Sequence, residues 1–504
     1  MNKENTLWNA MQAENNVTCT ENGDKAYKST LNPLLDFMFK AATMRDSNES
    51  EIKNLFIKAY NYNNVYAIRL AFYVRDIRGG QGERRVFRIC MNTLSEIDPN
   101  SFKKVMSFIP EYGRWDDLID IMHNIENKEC QQTIIDLIAS QFNEDLDNFN
   151  GGKPISLLAK WLPSENASST ETIIKAKRLR KTLDLSSKEY RKILSLLRNH
   201  INIVERQMTS KTWNEINYNN VPSKAMMKYR QAFMRNDKER YSDYLNKLAD
   251  PEKNNVKINA ATLYPFDIIS KLNISCWNKP HLSKEECKLF DAQWKALPDF
   301  FEGKFDNALV VADTSGSMTG TPLNVAIGLA MYLAERNKGI FNNKFITFSQ
   351  APELQEIIGT NIVDKAFNLS KAKWDGNTDI EAVFELILNS ALKANASQNE
   401  LPSMIYIISD MQFDCCNSFE DETVFEKYQR EFNEAGYQLP KVVFWNVSAY
   451  GNNNVPITVT NTGAIVCSGY SPSVVKYIME SDATDTMQLI ENIVGSERYA
   501  CILA

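Results

Sequence analysis

Residues 308–318, which read ALVVADTSGSM, decide the fold that this sequence predicts. Five apolar residues of the strand type end at Asp313, and Ser315 and Ser317 follow on a short loop with a glycine. A helical segment then begins near Thr321. Because open α/β sheets bind ligands at the carboxyl ends of their strands, this junction predicts a binding site. Oxygen ligands with few carboxylates suit Mg²⁺ better than Zn²⁺.

Short apolar runs alternate with amphipathic segments through residues 301–504. The runs are Ala308–Asp313, Lys344–Ser349, Met404–Asp410, Lys441–Val447 and Ala464–Ser468. The intervening helices are predicted near Pro322–Asn337, Asp379–Leu392, Asp421–Ala435 and Pro472–Glu480. Strand–helix alternation of this kind is typical of a doubly wound, mostly parallel sheet, so we predict a Rossmann-like domain here.

Residues 29–300 predict a different architecture, an α-helical array of the solenoid type. Apolar residues such as Val65, Ile68 and Phe72 share one helical face, and glycine- or proline-containing breaks recur at short intervals. Residues 1–28 are polar and predict a disordered tail. The fold class expected for the whole chain is therefore α + α/β, with several domains.

Two further segments supply oxygen ligands for the predicted site. Thr378 lies in a glycine-containing loop before a helix, and Asp410 ends the buried-type strand that begins near residue 405. Strand ends gather on one edge of a parallel sheet, so five residues are expected to converge on Mg²⁺, or on Mn²⁺ or Ca²⁺. These residues are Asp313, Ser315, Ser317, Thr378 and Asp410. The alternative is an Asp/Ser turn that only caps a helix.

This order of residues resembles the metal-ion-dependent adhesion site of a von Willebrand factor A domain, over about residues 305–504. The resemblance implies that the two serines and the threonine contact the metal. It implies that the two aspartates act directly or through water, and that a partner's carboxylate or phosphate oxygen fills a vacant position. Ile380 departs from the pattern, because many family members carry a further hydroxyl there, and this leaves the metal affinity open.

The helical region contains an arginine-rich segment, RDIRGGQGERRVFR, at residues 75–88. Backbone N–H groups of its glycine turn and the arginine side chains are suited to holding a phosphate. The segment follows no strand and lacks the Lys-Ser/Thr ending of a nucleotide-binding loop. We therefore favour a helix–turn–helix junction, in which the arginines pair with Asp76, Glu83 and nearby acids.

The charge is distributed unevenly along the chain. Residues 153–246 hold 19 Lys and Arg against 9 Asp and Glu, whereas residues 305–504 hold 12 against 24. Basic residues mixed with Tyr218, Tyr229 and Phe233 are typical of RNA contact. The candidate RNA-binding residues are Lys175, Lys177, Arg178, Arg180, Lys181, Lys188, Arg191 and Lys192. The alternative is a solvated helix face that pairs with the acidic C-terminal domain.

The helical segment also resembles a little-characterised family that joins such a region to an A domain. The stretches that carry this resemblance are RDIRGGQGERRVFR (75–88), YGRWDDL (112–118), LLAKWLPS (157–164) and VPSKAMMKYR (221–230). The two-part architecture is similar to the TROVE-module proteins, and this similarity implies binding of small structured or misfolded RNAs.

These observations predict a non-enzymatic protein that binds RNA through its basic helices and captures a ligand with Mg²⁺. The alternative is a metal-dependent adaptor that binds a protein partner through an acidic residue. Hydrolysis is disfavoured, because His123, His200 and His281 all precede residue 301 and so lie outside the predicted A domain.

Nine cysteines without a CxxC pair argue against zinc and disulfides and favour the cytoplasm. No apolar run is long enough to cross a membrane, so no membrane partner is expected.

Overall fold

The computed structural model describes residues 11, 15–272, 282–301, 307–347, 352–369, 379–414, 422–449, 454–479 and 483–503. The chain forms two compact units. The first consists of Met1–Tyr73, Gly79–Gln81 and Ala260–Tyr499, and the second of Val74–Arg78, Gly82–Asn259 and Ala500–Ala504. The first unit therefore takes in residues from the region that the sequence assigned to a helical array ending at residue 300.

The first unit contains eight described strands. They are β1 (Val17–Cys19), β2 (Lys25–Tyr27), β3 (Ala308–Ala312), β4 (Lys344–Thr347), β5 (Glu353–Glu356), β6 (Met404–Ser409), β7 (Lys441–Asn446) and β8 (Ala464–Ser468). Six of them form one sheet in the order β5-β4-β3-β6-β7-β8. All neighbours in this sheet are parallel except β4 and β5, which are antiparallel. Strands β3 and β6 are entirely buried, as apolar runs of this kind require in a parallel sheet.

Helices at both ends of the chain belong to this unit. The N-terminal ones are α1 (Pro33–Lys40) and α2 (Glu49–Tyr62), and α3 (Asn64–Arg75) leads into the second unit. The C-terminal ones are α15 (Pro265–Leu272), α16 (Lys284–Lys295), α17 (Thr321–Arg336), α18 (Ile362–Leu369), α19 (Ile380–Ala394), α20 (Val424–Glu434), α21 (Val474–Met479) and α22 (Thr486–Gly495), followed by α23 (Glu497–Ala500). Phe39 of α1 lies in the same core as Phe444 and Val466 of the sheet.

The second unit is helical throughout its described elements. Its helices are α4 (Arg85–Ile97), α5 (Pro99–Val105), α6 (Ile109–Tyr112), α7 (Trp115–Asn124), α8 (Lys128–Asn150), α9 (Leu158–Trp161), α10 (Thr170–Thr182), α11 (Ser187–His200), α12 (Val204–Ser210), α13 (Ser223–Asn236) and α14 (Lys238–Lys247). Short 3₁₀ turns interrupt the chain at Ala41–Asp46, Met106–Phe108, Trp213–Glu215, Tyr218–Asn220, Gly316–Met318 and Gln398–Glu400.

At the coarse level the expected fold class is confirmed, with a mostly helical N-terminal region and a six-stranded mixed sheet near the C-terminus.

The N-terminal tail was expected to be disordered, but residues 17–27 form an antiparallel hairpin of β1 and β2. None of the six cysteines within the described residues forms a disulfide. None of the described helices combines the length and the apolar character needed to cross a membrane.

Candidate binding site at the carboxyl edge of the sheet

The sheet reverses its winding direction between β3 and β6. The chain runs from β3 outward to β4 and β5, and it then returns to β6 on the other side of β3 before continuing to β7 and β8. Ligands of open α/β sheets bind at the carboxyl ends of the strands at such a point. Ala312 of β3 pairs with Ile408 of β6, so Asp313 and Asp410 leave neighbouring strands at this edge. The sequence placed both aspartates correctly at strand ends.

Asp313 is fully buried and is held by hydrogen bonds to both of its side-chain oxygens. Its Oδ1 accepts a hydrogen bond from the backbone N–H of Ser315 at 2.9 Å. Its Oδ2 accepts one from the hydroxyl of Ser409 at 2.5 Å. The Ser409 hydroxyl in turn accepts the backbone N–H of Met411 at 2.9 Å. Ser409 is therefore a positioning residue for Asp313, and the sequence analysis missed it because it lies inside a strand.

Ser315 and Ser317 lie on the turn that follows β3. Their hydroxyl oxygens are 3.1 Å apart. Ser315 is buried and Ser317 is half-buried, so the two hydroxyls are close to the carboxylates without being freely hydrated. Thr378, the third predicted hydroxyl ligand, lies outside the described residues.

Asp410 is buried and only partly satisfied. Its Oδ1 accepts the backbone N–H of Gln412 at 3.1 Å. Its Oδ2 is buried and has no hydrogen-bond partner among the described residues. Burial raises the pKa of Asp410, and the hydroxyl of Ser317 opposes this effect. A buried carboxylate oxygen without a partner carries a free-energy cost that a bound cation would offset.

Asp313 and Asp410 are close enough that ionising one makes ionising the other less favourable. Burial, followed by repulsion from Asp410, raises the pKa of Asp313 to about 6. The pKa of Asp410 is also raised, and burial is the main cause. Two buried acids that disfavour each other's ionisation form a site whose charged state is stabilised by a cation.

The oxygen donors fit a small hard cation, although the described residues supply few of them. No group of three or more His, Cys, Asp or Glu side chains that could hold a metal occurs within the described ranges. A site here would therefore depend on two carboxylates and two hydroxyls, with water completing the shell. Asp379, which directly follows Thr378 in the sequence, caps α19 by accepting the N–H of Ala382 at 3.0 Å.

The β1–β2 hairpin lies beside this site, and no sequence pattern predicted it. The Thr20 hydroxyl donates to the carbonyl of Phe413 at 2.7 Å. The Asn22 amide donates to the carbonyl of Gln412 at 2.8 Å, and the backbone N–H of Glu21 donates to the Gln412 side chain at 2.9 Å. The carboxylate of Glu21 also contributes to the raised pKa of Asp410. The hairpin therefore fixes the loop that follows Asp410 and adds a negative charge near it.

In the second unit, the arginine-rich segment forms a buried ion-pair network. Asp117 of α7 is fully buried, and both Nε and Nη2 of Arg75 donate to its Oδ2 at 2.8 and 2.6 Å. Arg88 donates to its Oδ1 at 2.8 Å and pairs with Asp120 at 3.1 Å. The arginines therefore join α3 and α4 to α7, as in the helix junction that the sequence favoured. The acids that hold them lie on α7 and were not among those named from the sequence.

The predicted basic cluster is partly neutralised within the second unit. Lys175 pairs with Asp120 at 2.9 Å, Arg180 pairs with Glu165 at 2.9 Å, and the Arg178 side chain lies 3.5 Å from Nδ1 of His123. The remaining five candidates are exposed on α10 and α11. They are Lys177, Lys181, Lys188, Arg191 and Lys192.

The aromatic residues that were expected to stack on bases instead pack on one another. The rings of Tyr218 and Phe233 have centroids 5.3 Å apart, and both side chains are buried. The hydroxyl of Tyr218 donates to Asp237 at 2.7 Å. Tyr218 and Phe233 therefore belong to the core of the helical unit and are not available to stack on bases, whereas Tyr229 is half-buried.

Comparisons with known proteins connect the chain to families without an assigned activity. Residues 20–133 and 128–301 match a domain of unknown function, DUF2828, and residues 307–498 match another, DUF7788. The chain is also 30% identical over 511 residues to uncharacterized protein L728 of Acanthamoeba polyphaga mimivirus, covering 95% of this chain and 87% of that protein.

These matches correct the family assignment made from the sequence. Neither half matches a von Willebrand factor A or TROVE family, and the described residues lack a cluster of metal-ligating side chains of the usual kind. The resemblances to the adhesion site and to RNA-binding TROVE proteins are therefore wrong as family assignments. The chain belongs to the DUF2828 family of domains of unknown function.

Proposed function

We propose that the protein is a non-enzymatic adaptor that captures an acidic group of a protein partner through a divalent cation. The cation, Mg²⁺ in the first instance, would be held by Asp313, Ser315, Ser317 and Asp410. The observation that carries this proposal is the buried Oδ2 of Asp410, which has no hydrogen-bond partner among the described residues. It lies at the switch point of the sheet, beside a second buried carboxylate.

Each residue has a separate role in this arrangement. Ser409 and the backbone N–H of Ser315 orient Asp313, so that its charge is fixed at the edge of the sheet. Asp410 supplies a carboxylate oxygen that is not committed elsewhere. When bound, the cation neutralises both acids and offers a coordination position to an oxygen of the partner. No reaction is assigned to the site, since His123 and His200 belong to the second unit.

The cation is tested by thermal unfolding of the full chain in Mg²⁺ and in a chelator. At a Mg²⁺ concentration of about 100 times its dissociation constant, binding stabilises the native state by roughly 2.7 kcal/mol. We expect this stabilisation in the wild type and its loss in Asp410→Asn. Asp46→Asn is the matched control, because Asp46 is an exposed aspartate of the same unit and is not one of the proposed ligands. Equal stabilisation of wild type and Asp410→Asn by Mg²⁺ would show that the cation binds elsewhere.

The nature of the partner is tested by purifying the full chain from cell extract with Mg²⁺ or with a chelator. Proteins retained only with Mg²⁺, and lost from Asp410→Asn, support the adaptor. The absorbance ratio at 260 and 280 nm and sequencing report nucleic acid in the same samples. RNA that is retained regardless of Mg²⁺ and released by salt, with no Mg²⁺-dependent protein, contradicts the adaptor and favours the exposed basic residues of α10 and α11 as the contact.

A further inference from the structure

A groove lies along α1 and α2 in the first unit, and Lys28, Ser29 and Ala449 also line it. Its volume is about 450 Å³, which is within the range of roughly 300–1,000 Å³ typical of small-molecule sites. Pro33, Met44 and Leu55 supply apolar surface to its lining. A groove of this size and lining is suited to a molecule with an apolar portion, provided that its charged side chains find a counterpart.

Three lysines line this groove, and we name them the lysine groove residues: Lys28, Lys40 and Lys58. Two acids, Asp36 and Glu51, also line it, so the lining carries one excess positive charge. Asp36 is already engaged, because its Oδ1 accepts hydrogen bonds from the backbone N–H and the hydroxyl of Thr30, at 2.7 and 2.9 Å. These donors are neutral, so the carboxylate of Asp36 still interacts with Lys40 and Lys58, and the lining as a whole keeps one excess positive charge.

Lys40 is the most buried of the three lysines. Its ammonium group makes one hydrogen bond, to the carbonyl of Lys28 at 3.2 Å, although an ammonium has three donors. Burial lowers the pKa of Lys40, the charge of Asp36 opposes this effect, and repulsion from Lys58 adds to it. Lys58 itself is exposed and makes no ion pair within the described part of the chain. Two neighbouring ammonium groups with unused donors form a subsite for an anion that carries more than one charge.

We propose that this groove binds a small phosphorylated molecule, with its phosphate held by Lys40 and Lys58 and its apolar portion against Met44 and Leu55. Lysine binds phosphate as a compact point charge, and a dianion satisfies two ammonium groups better than a carboxylate does. The proposal uses none of the residues of the strand-end site, so it stands independently of the adaptor function.

The test uses isothermal titration calorimetry of the full chain with phenyl phosphate, which combines a phosphate with an apolar ring. We expect wild type to bind it at millimolar concentration or below, and Lys58→Met to bind it about tenfold more weakly. Lys53→Met is the matched control, because Lys53 is on the same helix, pairs with Glu49 at 3.2 Å and does not line the groove. Lys40→Met should show the same loss if it folds, and the exposed Lys58 keeps the test decisive if it does not.

Three results overturn the proposal. The first is no heat of binding in the wild type at millimolar phenyl phosphate, and the second is equal affinity in wild type and Lys58→Met. The third is binding to vesicles of phosphatidylcholine with phosphatidic acid in the absence of any binding to phenyl phosphate, because this would assign the lysines to a lipid surface. Binding of phenyl phosphate that is weakened in Lys58→Met and unchanged in Lys53→Met supports the small-molecule site.

Discussion

Asp117 shows how much of this molecule depends on a single buried charge. Its two carboxylate oxygens are shared between Arg75, which is itself almost fully buried, and Arg88. Charges removed from water are costly unless their partners remain in place, so the arrangement is stable only as a complete set. Gly113 adds a steric condition, since a β-carbon there would lie 2.6 Å from Oδ2 of Asp117.

We expect Asp117→Asn to lower the free energy of unfolding by roughly 3–5 kcal/mol, because Arg75 would remain buried without a countercharge. Urea denaturation of the full chain measures this change. The matched control is Glu129→Gln, which removes an exposed partner of Lys103 and should cost about 0–1 kcal/mol. Similar losses in the two variants would contradict the role assigned to the buried pair.

The sequence alone predicted some of the residues in the arginine network and in the strand-end site, but not their partners. The glycine turn and the arginines at residues 75–88 indicated a helix junction, because local breaks are visible in sequence. The acids on α7 that hold Arg75 and Arg88 are about 30–40 residues away along the chain, and no local spacing connects them. In the same way, Asp313 and Asp410 were identified from strand ends, whereas the supporting role of Ser409 depends on the pairing of two distant strands.

At the scale of single elements, apolar content determined what was predictable. Strands β3, β6, β7 and β8 are buried and stand out as apolar runs. Strand β5 reads ELQE and is mostly exposed at the edge of the sheet, so it offers no such run. The β1–β2 hairpin has three residues in each strand, and it is ordered by contacts with residues nearly 400 positions away.

The hairpin yields a prediction at this scale. The Thr20 hydroxyl is buried, donates to the carbonyl of Phe413 and accepts the N–H of Asp24 at 3.0 Å. Thr20→Val keeps the shape but leaves both backbone groups without this partner, so we expect a loss of roughly 1–3 kcal/mol in stability. Hydrogen exchange should show faster opening at residues 411–414.

Thr18→Val is the control for the hairpin, because Thr18 is in the middle of β1 and pairs with Ala26 through its backbone. The substitution retains a β-branched residue, and we expect a change within about 0.5 kcal/mol. If exchange at residues 411–414 were as slow in Thr20→Val as in Thr18→Val, the hairpin would not be what holds that loop.

At the scale of the whole molecule, the first unit is assembled from both ends of the chain. The hydroxyl of Ser468 in β8 donates to the carbonyl of Met38 at 2.7 Å. The side-chain amide of Asn446 in β7 donates to the carbonyl of Phe39 at 3.3 Å. Gly328 of α17 lies against the backbone of Phe266 in α15, where an added β-carbon would be 3.0 Å from its nitrogen. The sheet is therefore covered by helices from outside residues 301–504.

We predict that residues 301–504 alone do not unfold cooperatively, because the surface that covers Phe39 would be exposed to water. Thermal unfolding by circular dichroism and binding of a hydrophobic dye measure this outcome. Residues 15–73 joined by a flexible linker to residues 260–504 should recover a cooperative transition. A fragment 301–504 with the melting temperature of the full chain would show that the N-terminal helices are dispensable.

Because the first unit is assembled from both ends of the chain, its parts are synthesised at different times. Helix α1 leaves the ribosome early, but strand β8, on which it packs, is translated roughly 430 residues later. At elongation rates of about 5–20 residues per second, the apolar face of α1 waits about 20–90 s for its binding surface. The second unit has all but a few C-terminal residues of its chain available during this interval. Nascent chains therefore pass through a stage at which Phe37 and Phe39 are accessible to chaperones, and a slower or faster ribosome changes how long that stage lasts.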